Sequence, residues 1–158
     1  MIKINKPAEP VNNPQPNFQQ KRDFTRVIDA AEPFWENFLP DPENHIARGV
    51  LWVPDGMQPT ADLSYDKPRR RVRLVIRLHT NNAFTPLQLQ SFRRAQNETE
   101  GLSYLAIDEE SNILQIRSQS VLPAPFMARA IVPEVIKDAV LLLQNDNLKD
   151  FVQHAVSY

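Results

Sequence analysis

The sequence predicts an α+β fold, a largely antiparallel five-stranded sheet with helices on one face, in the order α-β-β-β-α-β-β-α. Three observations carry this. Residues 70–79 alternate without interruption: Val72, Leu74, Ile76 and Leu78 point one way, and Arg71, Arg73, Val75, Arg77 and His79 the other. Strand-like runs come in consecutive groups joined by short turns, which favours antiparallel pairing. Segments with helical spacing precede, separate and follow those groups.

Residues 1–18 read as a flexible tail rich in Pro and Asn, and residues 19–158 as one α+β domain. The first helix is expected over residues 21–38, because Phe24, Val27, Ile28, Ala31, Phe34, Trp35 and Phe38 follow helical spacing. Pro33 should kink or divide it. Residues 50–53 form a short apolar run closed by Pro54-Asp55-Gly56, a turn signal. Residues 60–65 alternate, with Ala61, Leu63 and Tyr65 on one face. Thr85-Pro86 starts the second helix, with Thr85 as N-cap and Pro86 in the first turn, and that helix runs to about Asn97. Residues 102–107 and 113–121 read as a hairpin around Asp108-Glu109-Glu110-Ser111-Asn112. The expected core includes Phe34, Trp35, Leu51, Val72, Leu74, Ile76, Leu78, Phe92, Tyr104, Leu114, Ile116, Ile136, Val140 and Leu143.

Pro133 is expected to open the last helix near its first turn. There the apolar positions split. Ile136, Val140 and Leu143 lie on one side, and Leu148, Phe151 and Val152 nearly opposite, with Gln144-Asn145-Asp146-Asn147 between. Either the helix breaks at 144–147, or it is continuous with two buried faces. A continuous helix makes Leu148, Phe151 and Val152 a surface for a partner or a second copy, and a homodimer is the expectation.

The chain has 158 residues, a net charge of −1 and no cysteine. The balanced charge supplies no whole-molecule attraction to nucleic acid or to an anionic membrane, so nucleic acid is not the expected partner. Lack of cysteine excludes thiolate metal sites and thiol nucleophiles and fits a reducing compartment. No apolar signal segment or membrane span is present, so the chain reads as cytoplasmic.

Nothing in the residues assembles catalysis, so the reading is non-enzymatic, with no cofactor and no metal. His45, His79 and His154 fall on three different elements, and Gly49, Gly56 and Gly101 form no phosphate-cradling loop. The acidic turn at 108–112 lacks the glycine and distal Glu of an EF-hand loop and reads as a solvated hairpin turn. Arg71, Arg73 and Arg77 share the outer face of the third expected strand, where Arg117 joins them if its strand lies alongside. They read first as a solvated sheet face. The alternative function is an anion- or nucleic-acid-binding regulator, for which aromatic rings are missing apart from nearby His79.

Two stretches carry a family resemblance: Ser91-Phe92-Arg93-Arg94-Ala95-Gln96-Asn97, and Tyr104-Leu105-Ala106-Ile107-Asp108 followed by Asn112-Ile113-Leu114-Gln115-Ile116. Together with the element order they resemble the YbjN family of bacterial proteins and the type III secretion chaperones. The resemblance implies a domain that dimerises and binds protein segments, as a chaperone or a regulator. It transfers no ligand residue.

Overall fold

The computed structural model describes the backbone of residues 16–158 and the side chains of residues 22–158. The tail expected over residues 1–18 lies outside the described residues, except that residues 16–18 already belong to a helix. Helix α1 (Pro16–Ala31) has proline in its first turn, where the missing N–H costs nothing. It stops well short of Phe38. One 3-10 turn (Glu32–Phe34) follows, and the chain then extends into strand β1 (Trp35–Asp41). Pro33 is the cause, because it removes a ladder donor and disfavours helical backbone in the residue before it.

The helix-like spacing of Trp35 and Phe38 comes from a β-bulge. Strand β1 pairs with β2 (Ile46–Leu51) through Glu36↔Val50 and Leu39↔Arg48, so Asn37 and Phe38 together oppose Gly49. Asn37 takes a left-handed φ of 52°. The extra residue resets the alternation. Trp35 and Phe38 therefore stack at 4.9 Å, while Leu39 turns to the opposite face. A side chain at Gly49 would put its Cβ 2.9 Å from the Trp35 ring, so only glycine lets β1 lie this close. Strand β2 begins earlier than the apolar run at residues 50–53 suggested. The backbone of Val53 is instead held by the Gln58 side chain, at 3.0 and 2.7 Å.

Among the described residues the sheet has seven strands, two more than expected. Strands β3 (Thr60–Asp66), β4 (Arg71–His79), β5 (Ser103–Asp108) and β6 (Ile113–Val121) complete an antiparallel order β1-β2-β3-β4-β6-β5. The short β7 (Val156–Ser157) pairs with the end of β4, and the Ser157 hydroxyl accepts the Thr60 N–H at 2.9 Å. The inner face of the sheet supplies Leu51, Leu63, Leu74, Ile76, Leu78, Leu114 and Ile116 to one core, all fully buried. Phe34 and Val140 are only half-buried at its margin.

Helix α2 (Pro86–Glu98) starts as expected. Thr85 and Gln88 form a reciprocal capping box, and Phe92 and Ala95 are buried. On β5 the expected orientation is reversed. Ser103 pairs with buried Ser118 and Leu105 with buried Ile116, so Tyr104 stands on the outer face opposite Arg117. Helix α3 (Ala128–Leu143) buries Val132, Val135, Ile136, Ala139, Leu142 and Leu143. It starts before Pro133, which lies inside it, close enough to its start to forfeit one ladder bond without ending the helix. The buried Ser118 hydroxyl donates to the Val135 carbonyl at 2.7 Å and ties α3 to β6.

The last helix breaks. Past Gln144, the Asn145 side chain accepts the Asn147 N–H at 2.9 Å and opens a 3-10 turn (Asp146–Leu148) leading into α4 (Lys149–His154). The turn rotates Leu148 and Phe151 back onto the core of their own chain. Phe151 meets Phe92 at 5.1 Å and Phe84 at 5.7 Å, edge to face, and Leu148 is fully buried. The expected partner surface of Leu148, Phe151 and Val152 is therefore corrected. Two of its members are interior and Val152 is half-buried against the core, so these residues give no basis for self-association.

Helix α1 is anchored by Asp23, which is buried and bonded to Lys67 at 2.5 Å, next to Tyr65. The Asp23 carboxylate raises the Lys67 pKa above its ordinary 10.5, and desolvation raises the Tyr65 hydroxyl above 10.0. Both groups bind their protons more tightly in the folded state. Their contribution is complete below the unfolded values and is lost as pH rises through the folded ones. Urea unfolding followed from pH 7 upward should show stability declining above about pH 10, and Asp23→Asn should remove the Lys67 part of that decline. Truncating Phe151→Ala should cost about 3–5 kcal/mol, the usual cost of emptying a buried aromatic position, and circular dichroism in denaturant measures it.

Candidate binding surface

Among the described residues the helices pack on one face of the sheet, and none packs on the other. Its side chains follow from the register. Across the middle run Arg48, Asp62, Val75, Arg117 and Tyr104, contributed by β2, β3, β4, β6 and β5. The next row toward the β3–β4 turn holds Ile46, Ser64, Arg73 and Gln119. Val75 is buried although it faces outward, which fits long neighbouring side chains folding over it.

The arginines on this face divide by partner. Arg77 donates to Asp62 at 2.5 Å, and Arg48 approaches the same carboxylate at 3.6 Å. Arg69, in the β3–β4 turn, pairs with Asp66 at 2.9 Å. The side chain and backbone N–H of Arg69 both bond the Asp66 carboxyl and hold it below the usual carboxylate range. Arg73 and Arg117 instead donate through Nε to the amide oxygens of Gln119, at 3.2 Å, and Gln115, at 2.8 Å. A neutral acceptor orients a guanidinium without cancelling its charge. Of the expected trio, Arg71, Arg73 and Arg77 do share the face. Arg77 is neutralised by Asp62, and Arg117 takes its place as a charge held by a neutral group. Arg71 and Arg73 line a cleft of about 200 Å³ with Asn44, Ser64, Asp66 and Arg69.

Tyr104 was assigned to the core by its sequence, and the structure makes it the cross-strand neighbour of Arg117. At the far end of β4, Tyr158 meets His79 edge to face at 4.9 Å. The signal that could have found the β6 residues was the series Gln115, Arg117, Gln119, a polar alternation on one strand.

A different chemistry occupies the β1–β2 edge. Leu39 is 71% exposed and Ile46 40% exposed. The same alternation leads through Arg48 and Val50 to Trp52 just past the end of β2, which is 57% exposed and whose backbone N–H is bonded to the Phe34 carbonyl at 3.0 Å.

The histidines remain apart. His45 lies against Phe24, His79 against Tyr158, and His154 beside the Asp150 carbonyl. In the acidic turn the Asp108 carboxylate accepts the N–H groups of Glu110 and Ser111, at 3.1 and 3.2 Å, as turn chemistry requires. Among the described residues no group of acidic or histidine side chains is arranged to hold a metal, and no helix is long and apolar enough to cross a membrane. A concavity of about 510 Å³ lies between the β2–β3 loop and the C-terminal helices, where Val53, Met57, Leu143, Lys149 and Val152 contribute to its wall.

The different pairing of these arginines can be measured. Arg73→Gln with Arg117→Gln should change unfolding free energy by less than about 0.5 kcal/mol in urea. Asp62→Ala, which strips Arg77 and Arg48 of their carboxylate, should cost about 1 kcal/mol.

A chain of the HopA1–SchA chaperone–effector complex is similar in structure, with a TM-score of 0.49 and 16% sequence identity, covering 80% of this chain and 91% of that one. No protein-family model matches the sequence, and no curated protein matches it.

Proposed function

We propose that the chain is a non-enzymatic domain that binds another polypeptide, acting as a chaperone or regulator in the manner its resemblance to the YbjN family and the type III secretion chaperones implies. One observation carries the reading. Ile46 and Val50 flank Arg48 on the outer side of β2, Trp52 follows just past the strand's end, and Leu39 lies beside them on the edge strand β1, across from Arg48. Leu39, Ile46 and Trp52 expose large apolar side chains to water at one margin of an open sheet. Leaving such groups in water forgoes roughly 1.5–3 kcal/mol each relative to full burial, which a partner recovers on docking. Tryptophan is the residue type most often found at the energetic centre of such contacts.

Strand β1 does not favour uncontrolled pairing. Pro40 lacks a donor, and the bulge at Asn37 twists the edge away from a flat template. Recognition is thereby shifted from backbone pairing to the side chains of the stripe.

The test compares affinity purifications from the source cell using the parent chain and Trp52→Ala with Leu39→Asp. Both substitutions fall at exposed positions, and circular dichroism of the single and double variants should show the parental fold. A polypeptide held by the parent and weakened at least about tenfold by the pair supports the reading. A parent that holds no polypeptide, or a variant that holds the same one equally well, removes it.

A further inference from the structure

The opposite margin of the outer face asks for a different ligand. On β4 and β6, Arg73 and Arg117 are each fixed through Nε by a glutamine oxygen. Their charge is oriented and not neutralised. Tyr104 stands directly across from Arg117 on β5. Arg71 lies beside Arg73 but directly across from the Asp66 carboxylate, and the contact between His79 and Tyr158 places two more rings at the other end of β4. From Arg71 to His79 the strand spans roughly 27 Å at about 3.4 Å per residue, room for about four nucleotides on an extended single strand.

We propose that the outer face of β4, β6 and β5 binds single-stranded nucleic acid, with backbone phosphates on Arg73 and Arg117 and a base stacked on Tyr104. The pairing of ring and cation selects this occupant. An acidic peptide satisfies guanidinium groups but has no use for an aromatic ring beside them, whereas a nucleotide presents an anion and a planar base together. Open sheets that carry rings among basic side chains suit unpaired strands, whose bases are free to lie flat on them. The near-neutral charge of the whole chain does not oppose this, because the contact is made by a local patch at short range. The site is separate from the Leu39–Trp52 stripe and goes beyond the protein-binding reading.

Fluorescence anisotropy of the full chain with fluorescein-labelled oligo-dT and oligo-U at low salt tests it. The parent should bind, with affinity falling as salt rises. Arg73→Gln with Arg117→Gln should weaken binding about tenfold or more and reduce the slope of log K against log salt by about 1.4, two phosphates at about 0.7 each. Tyr104→Ala should weaken binding about tenfold, and Tyr104→Phe, which keeps the ring, should restore it. If the alanine variant fails to fold, Tyr104→Leu fills the position without a ring and takes its place. Leu39→Asp should leave nucleic-acid binding intact, so failure of the polypeptide reading does not affect this one. No binding by the parent at low salt overturns the proposal. So does binding that polyglutamate displaces as well as an oligonucleotide and that loss of the Tyr104 ring leaves unchanged, which would mark a surface for acidic peptides.

Discussion

Strand β4 pairs with β3 on one side and β6 on the other, and its last residues also receive β7. Its alternation supplies both sides of the molecule at once. Val72, Leu74, Ile76 and Leu78 face the helices and are fully buried, while Arg71, Arg73 and Arg77 face away. A slip of one residue would drive those guanidinium groups into the core and send the four apolar side chains into water, so the register is strongly specified. Every position on the outer face inherits its place from this constraint. Arg73 reaches Gln119 because β6 is locked to β4 residue by residue over nine pairs, whereas Arg117 meets Gln115 two residues back along its own strand.

The same alternation made the centre of the sheet legible from sequence, and its loss explains where legibility failed. Residues 34–38 carry apolar side chains three and four apart, the spacing of a helix. In the structure that spacing arises from a bulge, which adds one residue to a period of two and so imitates a helical step. Pro33 was the available warning, since it can end a helix as readily as kink it. On β5 the difficulty was different. Leu102, Tyr104, Leu105 and Ile107 are apolar on both sides of the strand, so period alone does not choose a face. The choice is made by β6, whose Ile116 and Leu114 oppose Leu105 and Ile107. That is a tertiary decision.

The C-terminal region shows a case where the pattern was read and its consequence was not. Two apolar faces pointing apart are incompatible with one straight helix on one sheet. Breaking the helix at Gln144 and Asn145 resolves this within a single chain. Asn145 and Asn147 then share the Glu98 carboxylate, at 3.1 and 2.9 Å, so the break is held against the end of α2. Ordering a few turn residues costs about 1–2 kcal/mol each, and burying Leu148 and Phe151 offsets it by roughly 1.5–3 kcal/mol per side chain. Polar turn formers between two apolar faces thus favour refolding onto the same core over recruiting a second copy.

The binding chemistry follows from how charge is paired, which sequence cannot show. Arg73 and Arg77 are four residues apart on the same face of one strand and look equivalent in the sequence. Cross-strand geometry gives Arg77 a carboxylate and Arg73 an amide. A carboxylate both orients and neutralises a guanidinium, whereas an amide only orients it. Side-chain entropy that would otherwise oppose an incoming anion is already spent on the amide contact, while the attraction itself is retained. The open face is therefore not uniformly basic. Arg73 and Arg117, beside the ring of Tyr104, are held by amide oxygens, whereas toward β2 the one carboxylate of Asp62 serves both Arg77 and Arg48. One sheet surface thus presents two margins of different chemistry, and the pairing of Asp62 with Arg77 and Arg48 forms the boundary between them.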